Sequence, residues 1–315
     1  MYQKKNLLYE RVIDMETNDQ AVQASWAMQK AQISQTSQAI LAVSFGTSYQ
    51  DSREKTIGAI EQALSGAFPE FPVYRAFTSR KIIRKLKERD GLAVDDVEEA
   101  LKRVKAEGIK GLVVQPTHLI GGFEYTDLAK VLEGYGDQFE GLELAAPLLG
   151  DEDDGEAVIR AITDETAAYD DGETAICFMG HGTKASANAV YRQLQEKLRE
   201  KGFGNYYIGT VEAKPDLEEL ASALKAAGHY KKVLLQPLMV VAGDHANQDM
   251  AGDGDSWRRR LEKDGLKVRC ILKGLGELPG IQKIYISHAK EAVERLQRKT
   301  GAARGGKHQS DCSEK

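Results

Sequence analysis

Hydrophobic residues in this chain fall into two kinds of run that alternate from end to end. Four short blocks, Ala39–Ser44, Gly111–Gln115, Ala175–Met179 and Lys232–Gln236, are rich in Val, Ile or Leu and end in Gly, Pro or polar residues. Strands buried on both faces of a parallel sheet read this way. Weaker strand patterns lie at Val73–Ala76, Leu142–Pro147, Tyr206–Thr210 and Lys267–Leu272. Between them, apolar positions recur at helical spacing over Ser52–Ser65, Ser79–Arg89, Asp95–Glu107, Glu124–Tyr135, Gly155–Ala168, Ala185–Lys201, Leu217–Ala227, Ser256–Lys263 and Ile281–Lys299. Alternating strands and helices predict an α/β fold with parallel sheets.

The alternation also repeats. Val43-Ser44-Phe45-Gly46-Thr47 closes one strand and Met179-Gly180-His181-Gly182-Thr183 closes another. Leu112-Val113-Val114-Gln115-Pro116 matches Val233-Leu234-Leu235-Gln236-Pro237, and the following segments align Gly122 with Gly243 and Glu124 with His245. The pattern predicts two similar Rossmann-like lobes, 39–150 and 151–280, followed by a helix over 281–300. Residues 1–38 read as an extension that is a loose helix or a disordered arm, and 301–315 as a disordered tail. The acids Asp151 to Asp154 open the helix that begins the second lobe, where negative charge is favourable.

Composition narrows the function. With 43 basic against 48 acidic residues the net charge is −5, which argues against a nucleic-acid binder. No apolar run reaches the length of a membrane span, and residues 1–38 lack the apolar centre of a signal peptide. Cys177, Cys270 and Cys312 are far apart in sequence; this usage fits a reducing compartment, and the cytoplasm is the expected location. Neither Gly121-Gly122 nor Gly180-His181-Gly182 completes a dinucleotide fingerprint, so no organic cofactor is expected. The sequence leaves assembly into a homo-oligomer open.

The chemistry is expected where the halves diverge. His181 stands where the first half has Phe45, and His245 where it has Glu124. Glu212, in Val211-Glu212-Ala213-Lys214-Pro215, also follows a predicted strand. All three then sit past the carboxyl ends of strands in one sheet, the default site in α/β folds. Two imidazoles and one carboxylate suit Co²⁺, Fe²⁺, Ni²⁺ or Zn²⁺ and leave coordination positions open. Their spacings, 31 and 33 residues, form no local motif. His118, after Gln115-Pro116-Thr117, reads as structural or as a cleft-lining residue; His229, His288 and His308 fall at less favourable positions. On these residues alone, an enzyme, a carrier of metal or tetrapyrrole, and a two-lobed receptor all stay open.

Val43-Ser44-Phe45-Gly46-Thr47-Ser48, Gln115-Pro116-Thr117-His118, Gly122-Phe123-Glu124-Tyr125, Gly180-His181-Gly182-Thr183, Val211-Glu212 and Gly243-Asp244-His245-Ala246-Asn247-Gln248-Asp249-Met250 occur here in order. With this set the chain, from about Ala39 to Arg298, resembles the anaerobic sirohydrochlorin cobaltochelatases, the CbiK-type class II chelatases. The resemblance implies a chelatase-like fold with a tetrapyrrole, sirohydrochlorin, between the lobes, and Co²⁺ as the substrate metal. It implies His181, Glu212 and His245 as metal ligands and His181 as the central catalytic residue. Phe45, Glu124 and His118 are the expected substrate-binding residues, with Glu124 a cleft-facing acid. A ferro- or nickel chelatase is the nearest alternative. The family pattern often has Gly after the ligand Glu, and Ala213 departs from it.

Overall fold

The computed structural model describes residues 37–307. Its strands are β1 (Gln38–Ser44), β2 (Val73–Phe77), β3 (Gly111–Pro116), β4 (Gly141–Leu144), β5 (Thr174–Gly180), β6 (Tyr206–Thr210), β7 (Lys232–Pro237) and β8 (Lys267–Cys270). They form two four-stranded parallel sheets of identical winding, β2-β1-β3-β4 and β6-β5-β7-β8. The edge strands β4 and β8 stop short of the expected Pro147 and Leu272. Each needs only enough residues to pair with one neighbour.

Both faces of each central strand are buried. Along β1, Ile40 and Ala42 face one core while Ala39, Leu41 and Val43 face another. Along β5, Ile176 and Phe178 share the first of these cores, and Ala175, Cys177 and Met179 enter a third. The inner faces of the two sheets thus belong to one continuous core. Cys177 and Cys270 are free thiols, the first fully buried and the second half-buried.

Local signals set the helix ends. Ser79 accepts from Ile82 N to cap the helix Arg80–Asp90, and Gly91 closes it in the left-handed region. Asp151 and Asp154 form a reciprocal capping box on the helix Glu152–Thr166, the role expected of those acids. The helix expected over Ser52–Ser65 is a segment from Gln50 to Ala67 with a π turn at Glu54–Gly58.

The last helix, Pro279–Lys307, begins beyond β8 yet packs against β3, β4 and the helices Ala59–Ala67 and Glu152–Thr166. Leu296 lies so close to Gly111 and Gly141 that a Cβ on either glycine would meet its methyl groups, at 3.3 and 2.5 Å. Tyr285 donates to the Thr117 carbonyl at 2.9 Å, Arg295 pairs with Glu143, and His288 meets Asp154 at 2.9 Å in a buried contact. The helix runs past the expected end at Lys299 to Lys307, into the segment expected to be a disordered tail. The rest of that tail and the extension before residue 37 lie outside the described residues. No helix among the described residues is long and apolar enough to cross a membrane.

Candidate metal centre

The sheet register fixes which residues correspond between the lobes. Ala42 pairs with Gln115 as Phe178 pairs with Gln236, so Phe45 and His181 occupy the same place after their strands. Ser44 pairs with Phe77 as Gly180 pairs with Thr210. Two further bonds extend each ladder: Thr78 N donates to Ser44 O and Ser79 N to Phe45 O in one, Val211 N to Gly180 O and Glu212 N to His181 O in the other. Ser79 is therefore the first-lobe counterpart of Glu212. Glu124 and His245 both sit on the first turn of a helical segment that follows a bend after Gln-Pro. The trio Phe45, Ser79 and Glu124 in one lobe stands against His181, Glu212 and His245 in the other.

A glycine turn aims the residue after each central strand. Gly46 (φ 94°) and Gly182 (φ 83°) occupy the left-handed region, which costs other residues about 1–2 kcal/mol. A Cβ on Gly46 would strike the Phe77 ring at 2.6 Å; one on Gly182 would strike Thr210 Oγ1 at 2.8 Å and Ala213 N at 2.9 Å. The turn therefore presses directly on the loop that carries Glu212. Thr210 Oγ1 donates to Ala213 O and holds that loop in place.

In the second lobe the three side chains converge. His181, Glu212 and His245 each offer a ligand atom within 4.8 Å of the others, the one such trio of His, Cys, Asp or Glu among the described residues. The two imidazole centroids are 4.7 Å apart with planes at 82°, and His181 Nε2 lies 3.9 Å from Glu212 Oε1. The outer nitrogens are already committed. His181 Nδ1 is 2.8 Å from Gly182 O, which can only accept, so Nδ1 carries the proton and Nε2 the lone pair. His245 Nδ1 is 2.6 Å from Asp249 Oδ2 and is fixed in the same tautomer. An imidazole oriented from behind by a carbonyl or carboxylate is the usual second shell of a metal ligand. Asp249 is a partner of His245 that sequence reasoning missed; its signal was the spacing of four from His245, one helical turn.

The first lobe is tied to the segment that carries His245. Tyr49 OH donates to Asp244 Oδ1 at 3.1 Å, and Ser52 Oγ accepts from Ala242 N at 3.0 Å, tying the segment after β1 to the segment after β7. Burial, and then the neighbouring Asp244 carboxylate, hold the Tyr49 phenol above its usual pKa, so it stays a donor. Phe45 is 47% exposed just past β1, and Phe123 is 61% exposed at the start of the helix Phe123–Glu133 that follows β3. Of the expected substrate-binding residues, Phe45 and Glu124 are exposed, whereas His118 is buried with Nε2 3.5 Å from Glu124 Oε2. Of the basic residues near these loops, Lys55 pairs with Asp51, and Arg53 is buried and donates to Thr47 O. Arg80 and Lys184 remain exposed.

Two imidazoles and a carboxylate brought together past the strand ends of one lobe equip this two-lobed protein to handle a divalent metal ion. Its fold is that of SirB from Bacillus subtilis, solved with Fe³⁺ (TM-score 0.56, 14% identity, 82% of this chain and 96% of that one). A SirB from Bacillus subtilis subspecies spizizenii in complex with cobalt aligns nearly as well (TM-score 0.55, 14% identity, 83% and 97%). The cobalt chelatase (CbiK) family is matched over residues 38–294, and the chain belongs to that family. The sirohydrochlorin cobaltochelatase of Salmonella typhimurium is 38% identical over 256 residues, 81% of this chain and 96% of its own. The sirohydrochlorin cobaltochelatase CbiKC of Nitratidesulfovibrio vulgaris is 34% identical over 264 residues, 83% of this chain and 92% of its own.

Proposed function

We propose that this protein is a sirohydrochlorin cobaltochelatase, an enzyme that exchanges two pyrrole N–H protons of sirohydrochlorin for Co²⁺ in cobalamin biosynthesis without oxygen. The observation that carries the reading is the trio His181, Glu212 and His245, whose imidazoles turn their Nε2 lone pairs inward. Family membership supplies the reaction class, and the names of the two relatives favour cobalt and sirohydrochlorin. The donor set by itself suits Fe²⁺ or Ni²⁺ as well. No organic cofactor is needed for this exchange, and the cytoplasm is the expected compartment.

In this reading the substrate ion rests on His181 Nε2, His245 Nε2 and a Glu212 oxygen, with positions left for incoming nitrogens. The macrocycle lies between this trio and the wall bearing Phe45, Glu124 and His118, with Phe45 offering an apolar surface to its face. As a pyrrole N–H bond breaks, its electron pair forms the bond to the metal and a base takes the proton. His181 Nε2 becomes such a base once the ion leaves it, which makes His181 both ligand and catalytic residue.

The test is direct. Purified protein mixed with sirohydrochlorin and Co²⁺ should change the visible spectrum of the tetrapyrrole faster than the protein-free control, and His181→Ala should abolish the acceleration. Co²⁺ or tetrapyrrole binding with no acceleration would make the protein a carrier instead.

A further inference from the structure

Sirohydrochlorin carries acetate and propionate side chains around its rim, so holding it calls for cationic and hydrogen-bonding partners as well as a metal site. Arg80 is a cation set at a strand end of the first lobe. The bonds from Thr78 N to Ser44 O and from Ser79 N to Phe45 O carry the chain past β2, and Arg80 follows directly. Since Ser79 corresponds to Glu212, the second-lobe counterpart of Arg80 is Ala213. The positive charge therefore stands in the lobe without metal ligands, and the small neutral residue stands beside Glu212, where a cation would repel Co²⁺.

Arg80 lines a cavity of about 250 Å³ between the loop after β2, the start of the helix Val97–Ala106 and the helix Phe123–Glu133. Glu124, the counterpart of His245, is in the same lining, so the cavity adjoins the wall assigned to the macrocycle. Four carboxylates line it, and each already has a partner. Asp96 accepts from Glu99 N, Glu98 pairs with Lys102, Asp127 pairs with Lys130, and Glu124 faces His118. The donors are in the opposite condition. Arg80 is exposed and has no ion pair or hydrogen bond among the described residues. The Thr78 hydroxyl is buried and unpartnered. A buried hydroxyl left unpaired costs stability, and a guanidinium offers five donors in a fixed fork. What the cavity lacks is an acceptor, and its volume takes a carboxyl group on a chain of one or two methylenes.

We propose that Arg80 and Thr78 form a carboxylate subsite that seats one acidic side chain of the tetrapyrrole rim. The guanidinium meets the carboxylate through two parallel N–H···O bonds, and Thr78 Oγ1 donates a third. The lining acids do not cancel the subsite, because Lys102 and Lys130 answer two of them and the Glu99 backbone a third. Arg80 thereby becomes a specificity-determining residue: a tetrapyrrole without an acid at that rim position leaves the fork and the hydroxyl unpaired and binds less tightly. The subsite holds the substrate and takes no part in holding the metal. This inference rests on the chelatase reading above.

The experiment titrates the metal-free protein with sirohydrochlorin, read from the visible spectrum of the tetrapyrrole, and measures steady-state Co²⁺ insertion beside it. Arg80→Gln should weaken sirohydrochlorin binding and raise KM about 10-fold, the loss of a charged hydrogen-bonding partner, while kcat and Co²⁺ affinity hold. Arg80→Lys keeps the charge without the fork and should lose about 3-fold. Thr78→Val removes one donor and should also lose about 3-fold. Added salt should weaken binding to the wild type more than binding to Arg80→Gln. Arg84→Gln makes the same charge change one helical turn on, outside the cavity, and should stay within about 2-fold of wild type. Wild-type affinity in Arg80→Gln, an equal loss in Arg84→Gln, or a loss confined to kcat or Co²⁺ binding would each overturn the proposal. Failure of the chelatase reading would look different, since wild-type protein would then insert no cobalt.

Discussion

The two lobes share one plan and differ at three points. Sheet order, register, glycine turn and Gln-Pro turn are common to both. At the three corresponding positions the first lobe carries Phe45, Ser79 and Glu124, and the second carries His181, Glu212 and His245. The fold thus supplies two equivalent platforms at strand ends, and only the second carries two imidazoles and a carboxylate within reach of one another. Ser79 shows the divergence in detail: its hydroxyl is used to cap a helix. Glu212 is followed instead by a loop through Pro215, and the next helix is capped by Asp216. That added loop frees the carboxylate to reach His181.

The asymmetry can be broken most severely by giving the second lobe the first lobe's residue. His181→Phe should abolish cobalt insertion and weaken Co²⁺ affinity by more than about 100-fold, beyond the loss typical of removing a ligand's hydrogen-bond support; calorimetric titration with Co²⁺ checks it. A subtler break leaves the ligands and removes what orients one of them. Asp249→Asn should lower Co²⁺ affinity by about 10–100-fold in the same titration, and unchanged affinity would deny Asp249 its supporting role.

Two smaller effects sharpen the contrast from the first-lobe side. Covering the exposed half of the Phe45 ring is worth roughly 1–1.5 kcal/mol. Phe45→Ala should therefore raise the KM for sirohydrochlorin about 10-fold with Co²⁺ binding intact. A change in metal affinity instead would show that the lobes do not divide the work. The smallest change tests the anchor beneath His118. Tyr285→Phe removes the donor to Thr117 O and should cost about 1 kcal/mol in denaturant unfolding.

Much of this was legible in the sequence because it is local. The buried strands announced themselves as apolar blocks; the repeat placed His181 and His245 at matching strand ends, and the strand predicted before Glu212 placed that residue, before any contact was known. Edge strands were overextended: after one last bond each, from Ala145 N to Val114 O and from Ile271 N to Leu235 O, the residues that follow join no ladder. The π turn at Glu54–Gly58 left no mark in the hydrophobic periodicity. The Tyr285, His288 and Arg295 contacts span more than a hundred residues, and no spacing rule encodes them. His118 illustrates the limit well: its place at a strand end was readable, while its burial without a hydrogen-bond partner depends on what packs around it.

The final helix bears on how the molecule is made. Leu296 completes packing against Gly111 and Gly141, although it is synthesised after the entire second sheet. A nascent chain that has left the ribosome only as far as the end of β4 lacks the element that seals its inner face. Chaperone binding to that uncovered surface, and a late gain in protease resistance as the last helix emerges, are what this topology implies for folding in the cell.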